Sequence, residues 1–211
     1  MEDSENKKVR YNRPMNRSLT STKNSVYGIW LLIAGALGLT AAFILTLEKL
    51  HALSNPDSGA SCDFSIIVQC SANLNSHAGA IFGFPNPLIG LIAWPFVLAT
   101  GVLVLSRASL PKIWWYGFFL GNLFAICFVS WLQWQSIMVL GTLCPWCMVT
   151  WFAVIPTFWS TVTHMGTLGL WGRKAVGIFS HLKAYVPLLA FLWFMGIAVW
   201  SQLRLDWLAT L

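Results

Sequence analysis

Charge is what this sequence lacks most, since Asp, Glu, Lys and Arg make up only 9% of its 211 residues. Soluble domains carry roughly 25% charged residues. Hydrophobic residues make up 57% of the chain, and the mean hydropathy is +0.66. An ordinary soluble domain is therefore excluded. The composition predicts an all-α polytopic membrane protein in a lipid bilayer, with many of its 13 Trp and 14 Phe at the membrane interfaces.

Several functional motifs are also missing from the sequence. It contains no glycine-rich phosphate loop, no patch of interleaved basic and aromatic residues, and no motif for flavin, nicotinamide or haem. The net charge of +6 does not indicate a nucleic-acid partner, because the basic residues follow the expected membrane topology. We therefore predict a membrane protein that binds no nucleic acid.

Five apolar runs reach about the 20 residues that a helix needs to cross a bilayer. The first run is too long, and its polar leader too extended, for a cleaved signal peptide. The runs predict a membrane domain over residues 27–205, between a disordered basic cytoplasmic tail (1–26) and a short outer tail (206–211). A polar connection, 48–84, follows the first span. The predicted spans cover 27–47, 87–105, 113–139, 143–163 and 185–203.

The basic residues predict the orientation of the spans. If the N-terminus is cytoplasmic, eleven of the 13 Lys and Arg residues lie on the inner side, and only Lys49 and Arg204 lie outside. The polar connection and the turn before the fourth span are then both outside. Four of the five cysteines consequently share the compartment in which disulfides persist: Cys62, Cys70, Cys144 and Cys147.

Two of these cysteines, Cys144 and Cys147, stand three positions apart at the start of the fourth span. Thr142 is a candidate N-cap, and Pro145 is tolerated because first-turn amides have no helical partner. The positive end of the helix dipole favours a thiolate there. The sequence thus predicts a redox-active dithiol, in which we expect Cys144, nearer the helix start, to be the more exposed residue.

A structural zinc half-site and a static disulfide are the alternatives for this pair. Zinc requires four ligands, usually Cys or His. Neither His51 nor His77 stands at a spacing from the other cysteines that matches a known ligand pattern, so we predict no metal. Cys127, alone in the third span, is expected to be a small buried hydrophobe.

Cys62 and Cys70 allow two interpretations. They form either a static staple of the polar connection or a shuttle that exchanges disulfides with a soluble partner and then with the membrane pair. Because Cys144 and Cys147 lie at the bilayer edge, a lipid-soluble quinone is the expected electron acceptor. Asn86 begins the second span at the same level, where its amide would either donate to a quinone carbonyl or cap the helix.

Together these residues resemble the vitamin K epoxide reductase family in its bacterial disulfide-forming branch. The resemblance is carried by Cys62 and Cys70, by the segment FGFPNPLIG at 82–90, and by Cys144-Pro145-Trp146-Cys147. It covers residues 27–205, and the combined pattern is specific, whereas two cysteines separated by two residues would not be.

The resemblance implies a four-helix bundle around a quinone, with a fifth peripheral transmembrane helix. By likeness to the family, Cys62 meets the partner's thiols, Cys70 exchanges with Cys144, Cys147 faces the quinone, and Asn86 hydrogen-bonds it. Residues 71–84 would form a partial helix that caps the pocket. Where some members have a tyrosine as a second quinone donor, this chain has Trp151, whose indole N–H is the candidate replacement.

The implied activity is that of a thiol:quinone oxidoreductase in the bacterial inner membrane, using menaquinone or ubiquinone. It would reoxidise an extracytoplasmic thioredoxin-fold thiol oxidase and so support disulfide formation in exported proteins. Many bacterial members carry a fused thioredoxin-like domain after the fifth span, whereas this chain ends at Leu211, so the partner is expected to be a separate protein.

Two other functions remain open from the residues. A small transporter or channel with structural outer disulfides is disfavoured because the predicted span interiors are nearly free of charge. A quinone-epoxide reductase that runs on partner thiols would use the same residues, and a substrate assay separates it from the thiol oxidase.

Overall fold

The computed structural model describes residues 23–55 and 59–206, and all regular secondary structure within these ranges is helical. A single isolated bridge joins Val68 to Leu143. Short 3₁₀ turns cover His77–Ala80, Arg173–Ala175 and Lys183–Tyr185, and a π-helix covers Gln135–Leu140. The α-helices are α1 (Lys23–Ser54), α2 (Ser71–Asn75), α3 (Pro87–Leu105), α4 (Lys112–Trp134), α5 (Pro145–Thr167), α6 (Val176–Leu182) and α7 (Val186–Leu205).

Within the described ranges, four helical segments are long and apolar enough to cross a membrane, which confirms the all-α polytopic class. The predicted span at 143–163 forms α5, which has sufficient length but is not among the four. Its five Thr, three Trp and two Pro residues lower its hydropathy. The four segments are Ser25–Ser54, Pro87–Leu105, Lys112–Leu140 and Arg173–Leu205.

The helix α1 is longer than its sequence predicted. The helix continues through residues 48–54, which hydropathy assigns to the polar connection. Polar side chains of this extension form hydrogen bonds with the segment that follows. Glu48 accepts hydrogen bonds from Ser61, and Lys49 Nζ donates to Asn75 Oδ1 at 2.9 Å. At its other end α1 already includes 23–26, which the prediction had placed in the tail. Residues 1–22 and 207–211 of the two predicted tails lie outside the described residues.

Glycines allow α1 and α3 to pack closely. A Cβ atom at Gly38 would overlap the indole of Trp94, and one at Gly90 would overlap Ala42. Small residues at such contacts let helix backbones approach, which strengthens van der Waals packing where no hydrophobic effect drives helices together.

The helix α5 occupies the middle of the molecule, where it packs against α1, α4 and α7. Its threonines hydrogen-bond across the interface with α1: Tyr27 Oη pairs with Thr161 Oγ1 and Trp30 Nε1 donates to Thr157 Oγ1, both at 3.0 Å. This central position explains why α5 tolerates a less apolar sequence than its neighbours. α7 packs on α5 and the π-helix at the periphery, consistent with the fifth helix that the family resemblance implied.

Candidate active site

Four cysteines meet at one end of the helix bundle. Cys62 and Cys70, the loop pair, are joined by a disulfide with their Cα atoms 5.7 Å apart. Cys144 and Cys147, the helix pair, are free thiols. The Sγ atom of Cys144 lies 3.6 Å from Sγ of Cys70. Cys62, Cys70 and Cys144 are buried in one cluster, and Cys147 packs against it.

The local structure at the start of α5 presents the helix pair to this cluster. Cys144 is itself the N-cap, with extended backbone dihedrals, and its Sγ accepts a hydrogen bond from the Cys147 backbone N–H at 3.3 Å. Pro145 occupies the first turn as expected. A backbone donor and the positive end of a helix dipole both favour the thiolate form of Cys144.

The prediction that Thr142 caps this helix is wrong. Its hydroxyl instead accepts from Asn73 Nδ2 at 2.9 Å, and its backbone N–H donates to the carbonyl of Ser136 at 3.1 Å. These contacts come from α2 and from the π-helix, so Thr142 joins α2 to the bundle.

The expected order of exposure within the helix pair is also wrong. Cys144 is completely buried, because the loop pair lies over it, whereas Cys147 is half-buried. The open side of Cys147 faces a cavity that it helps to line. The helix pair therefore has one sulfur against the loop disulfide and one at the cavity.

A short backbone pairing holds the loop against α5. The Leu143 N–H donates to the carbonyl of Ile67 at 2.7 Å, and the Gln69 N–H donates to the carbonyl of Leu143 at 3.0 Å. Gln69 and Leu143 directly precede Cys70 and Cys144 in the chain. The bridge therefore fixes the relative position of the two cysteines whose sulfurs are in contact.

Asp63 closes the loop from the other side, and sequence reasoning missed it. Its carboxylate accepts from the N–H groups of Ala60 (3.1 Å), Cys70 (2.7 Å) and Ser71 (3.0 Å), and from Ser71 Oγ (2.5 Å). Partial burial raises the pKa of Asp63, but the hydrogen bonds from Ser71, Cys70 and Ala60 outweigh it and hold the pKa below its usual value. The sequence did carry a signal for this role: Asp63 is an acidic residue directly after Cys62 in a chain with few charges.

A cavity of about 700 Å³ extends from the cysteines into the bundle between α1, α3, α4 and α5, and its walls are mainly apolar. Residues of α2 and of the His77–Ala80 turn cover its end near the cysteines, where the resemblance implies a capping helix. α3 and α4 do not pack closely along their length, and Gly117 and Gly121 of α4 face open space. The cavity thus has a side opening between these two helices.

Asn86 and Trp151 both line this cavity. The capping alternative for Asn86 is wrong, because its side chain makes no cap hydrogen bond. Nδ2 donates to the carbonyl of Ala78 at 2.6 Å, while Oδ1 is buried without a partner. A buried unpaired amide oxygen is costly unless a ligand satisfies it. Trp151 is buried and forms part of the wall.

The remaining candidate features lie elsewhere. Ile126 and Val129 of α4 are buried in the bundle. Cys127, which directly follows Ile126, is exposed. The expectation of a buried Cys127 is therefore wrong, because the hydropathy of a span does not reveal which face packs. In the part of the chain that the structure describes, no group of three or more His, Cys, Asp or Glu residues could hold a metal ion.

Comparison with known proteins identifies one family. Residues 29–162 match the model of the vitamin K epoxide reductase family. The matched range contains both cysteine pairs, Asn86 and Trp151. A search of curated proteins found no match to the chain.

Proposed function

Because the chain belongs to the vitamin K epoxide reductase family, we propose that it is a membrane thiol:quinone oxidoreductase. In this proposal it oxidises a protein dithiol and passes the electrons through the loop pair and then the helix pair to a quinone. The contact of 3.6 Å between Sγ of Cys70 and Sγ of Cys144 carries the proposal, because disulfide exchange requires two sulfurs to approach one another.

The electron path consists of two exchanges within the protein. A partner dithiol reduces the Cys62–Cys70 bond and leaves as a disulfide. Cys70 then attacks Cys144 of an oxidised helix pair and releases Cys147, and Cys62 attacks Cys70 to restore the loop disulfide. Each step breaks one S–S bond and forms one. The described arrangement, with the loop pair oxidised and the helix pair reduced, corresponds to the state after this transfer.

The cavity fits a quinone head group beside Cys147. It is large, mainly apolar and lined by both Cys147 and Asn86, whose Oδ1 has no hydrogen-bond partner. A bound quinone supplies an acceptor for two electrons and two protons. Asn86 retains a second amide N–H that can donate to a carbonyl oxygen, while Oδ1 can accept from a hydroxyl of the reduced form. We assign Trp151 to the wall of this site, with its indole N–H as the second donor.

The side opening between α3 and α4 gives a lipid-soluble quinone a route from the bilayer. Gly117 and Gly121 leave space along α4, and exposed aromatic residues such as Phe96 and Phe124 border the cavity. The volume of about 700 Å³ exceeds what a quinone ring alone requires, so part of an isoprenoid tail fits as well. Menaquinone and ubiquinone share this chemistry.

The proposed setting is the bacterial inner membrane, with the N-terminus cytoplasmic and the cysteines extracytoplasmic. The distribution of eleven basic residues on one side and two on the other supports this orientation. A separate thioredoxin-fold thiol oxidase in the outer compartment would supply the dithiol, and the electrons removed from it would support disulfide formation in exported proteins.

Anaerobic mixing of the purified protein with a protein dithiol and a quinone tests the proposal. With reduced thioredoxin and ubiquinone or menaquinone, we expect the quinone absorbance to fall at a rate proportional to the enzyme concentration. Cys144→Ser should abolish the reaction. Cys127→Ser, a matched change at the exposed thiol of α4, should leave it nearly intact. Consumption of a quinone epoxide with no reduction of quinone would instead identify the protein as an epoxide reductase.

A further inference from the structure

The loop pair encloses two of the most exposed apolar side chains in the described structure. Phe64 is 74% exposed and Ile66 is 89% exposed, whereas the cysteines that flank them, Cys62 and Cys70, are only 3% and 0% exposed. We propose that this apolar tip, defined as Phe64 and Ile66, is the docking surface for a thioredoxin-fold protein whose dithiol reduces the loop disulfide. This inference rests on the proposed function and names the surface that the partner uses.

The apolar tip is rigidly held by hydrogen bonds within the loop. The N–H groups of Phe64 and Ser65 donate to the carbonyl of Val68 at 2.9 and 3.0 Å, and Gln69 Nε2 donates to the carbonyl of Ile66 at 2.6 Å. A preformed surface loses little conformational entropy when a partner binds. Exposed apolar side chains on such a surface are therefore suited to binding, since no packing within the described structure accounts for them.

The tip also lies on the path to the disulfide. The chain from Cys62 to Cys70 passes through it, while the bridge at Leu143 and the contacts of Asp63 hold the base of the loop on the bundle. Cys62 is almost completely buried and stands only two residues before Phe64. A protein docked on the tip is therefore held beside the disulfide that the loop must expose for exchange.

The surroundings of the tip favour a protein over the bilayer as the occupant. Asp63, Ser65 and Gln69 are the polar neighbours of the tip in the chain. At the base of the loop, exposed hydrogen bonds join Ser61 to Glu48 and Lys49 to Asn75. Charged groups of this kind stay in water, so the loop stands above the hydrocarbon region. An apolar centre with a polar rim is typical of protein interfaces.

The chemical step at this surface is a balanced exchange. A partner thiolate attacks Sγ of Cys62, forms a mixed disulfide and releases Cys70 as a thiolate. The partner's second thiol then displaces Cys62, so that the partner leaves oxidised and the loop pair retains both electrons and two protons. No further oxidant is required.

Substitutions in the tip test the proposal when a protein dithiol and a small dithiol are compared. The variants are Phe64→Ser, Ile66→Ser and the double change, in membranes or nanodiscs with ubiquinone. Leu203→Ser is the matched control, because Leu203 is an apolar side chain that is 83% exposed near the end of α7. This end of α7 lies at the same end of the bundle as the cysteines, since Leu205 is beside Gly141. We expect the double variant to raise KM for reduced thioredoxin about tenfold or more, as loss of an interface anchor does.

Turnover driven by dithiothreitol should not fall in the double variant, because a small reductant does not need the tip. The control should stay within about twofold of the wild type for both reductants, as expected for a surface change outside an interface. An unchanged KM for thioredoxin would overturn the proposal. Equal loss with both reductants would overturn it as well, since the tip would then be structural.

A photo-cross-linking residue, p-benzoylphenylalanine, in place of Ile66 identifies what the tip touches. We expect a cross-link to thioredoxin during turnover, and cross-linking to lipid alone would show that the tip lies in the bilayer and contradict the proposal. A wild-type protein that reduces quinone with dithiothreitol but not with thioredoxin would refute this partner while leaving the oxidoreductase function intact. Failure with both reductants would refute the proposed function itself.

Discussion

Asp63 shows how a single side chain can set the geometry of a redox loop. Its carboxylate joins Ala60, two residues before Cys62, to Cys70 and Ser71 at the far end of the loop. These hydrogen bonds do not depend on the disulfide. Cys70 should consequently remain near Cys144 when the loop disulfide opens during turnover.

Replacing Asp63 with Asn should loosen the loop. The substitution removes one acceptor oxygen and places an N–H₂ group near the donors of Ala60 or Ser71, so we expect a local loss of about 1–3 kcal/mol. Hydrogen exchange of the amides in 60–71 measures the effect. Asp206→Asn is the control, because the carboxylate of Asp206 lies at the end of α7, where it accepts from Gln202 Nε2 rather than from the loop.

The same measurement against pH checks the role of the charge. The pKa of Asp63 is lowered in the folded protein, so its stabilisation is fully present above the unfolded value of about 4 and is lost as the pH falls through the lowered folded value. The wild-type loop should therefore lose protection in that acid range, while Asp63→Asn should be less protected already at neutral pH. Equal protection of the two proteins at neutral pH would contradict the role assigned to Asp63.

At the scale of elements, glycines have two different roles: some allow helices to pack closely, and others leave the gap between α3 and α4 open. Gly38 and Gly90 permit close contact between α1 and α3. A Cβ added at Gly117 or Gly121 of α4 would instead meet no atom within 4 Å, so these two glycines leave space beside the cavity. The second pair therefore keeps a passage open, and bulk added there should act on the quinone without disturbing helix packing.

Gly121→Leu should obstruct this passage. Leucine also favours the helix by nearly 1 kcal/mol over glycine, so folding should not suffer. We expect KM for ubiquinone to rise about tenfold, the effect of losing about 1.4 kcal/mol of binding free energy, with reduction of the loop pair by thioredoxin unchanged. Gly196→Leu on α7, where a side chain also meets open space, should have no effect. Equal quinone kinetics in the two variants would exclude entry between α3 and α4.

The sequence predicted the helices better than their ends and faces. Uncharged runs located each long helix of the described residues, including α5 with its lower hydropathy, because a run of this length without charge has few alternatives. Hydropathy could not reveal that Glu48 and Lys49 would continue α1, since their partners lie in a distant loop. It also could not give the outward face of Cys127, because neighbouring helices determine which side of a span packs.

Across the whole molecule, three parts follow one another from the loop end of the bundle towards its middle: the apolar tip, the four cysteines and the cavity. The spacing of the cysteines predicted two pairs, and the family resemblance implied which members meet. Neither could predict that the loop buries Cys144 and leaves Cys147 open to the cavity, because that arrangement depends on the pairing of Ile67 and Gln69 with Leu143. The proposed path for electrons follows this order.

The central claim, that electrons cross between the pairs through Cys70 and Cys144, is tested most directly by trapping that bond. Cys147 and Cys62 are the thiols that can resolve such a bond, by attack on Cys144 and on Cys70, so the trapping variants lack both resolving positions. After reduction and mild oxidation with diamide, Cys62→Ser combined with Cys147→Ser should form an intramolecular Cys70–Cys144 bond, because these two sulfurs are in contact. Non-reducing peptide mapping identifies the bond, and adding Cys127→Ser should give the same map. Faster formation of a Cys62–Cys144 bond in Cys70→Ser combined with Cys147→Ser would reverse the roles within the loop pair. Absence of any bond between the two pairs would contradict the relay and leave Cys62–Cys70 as a structural staple.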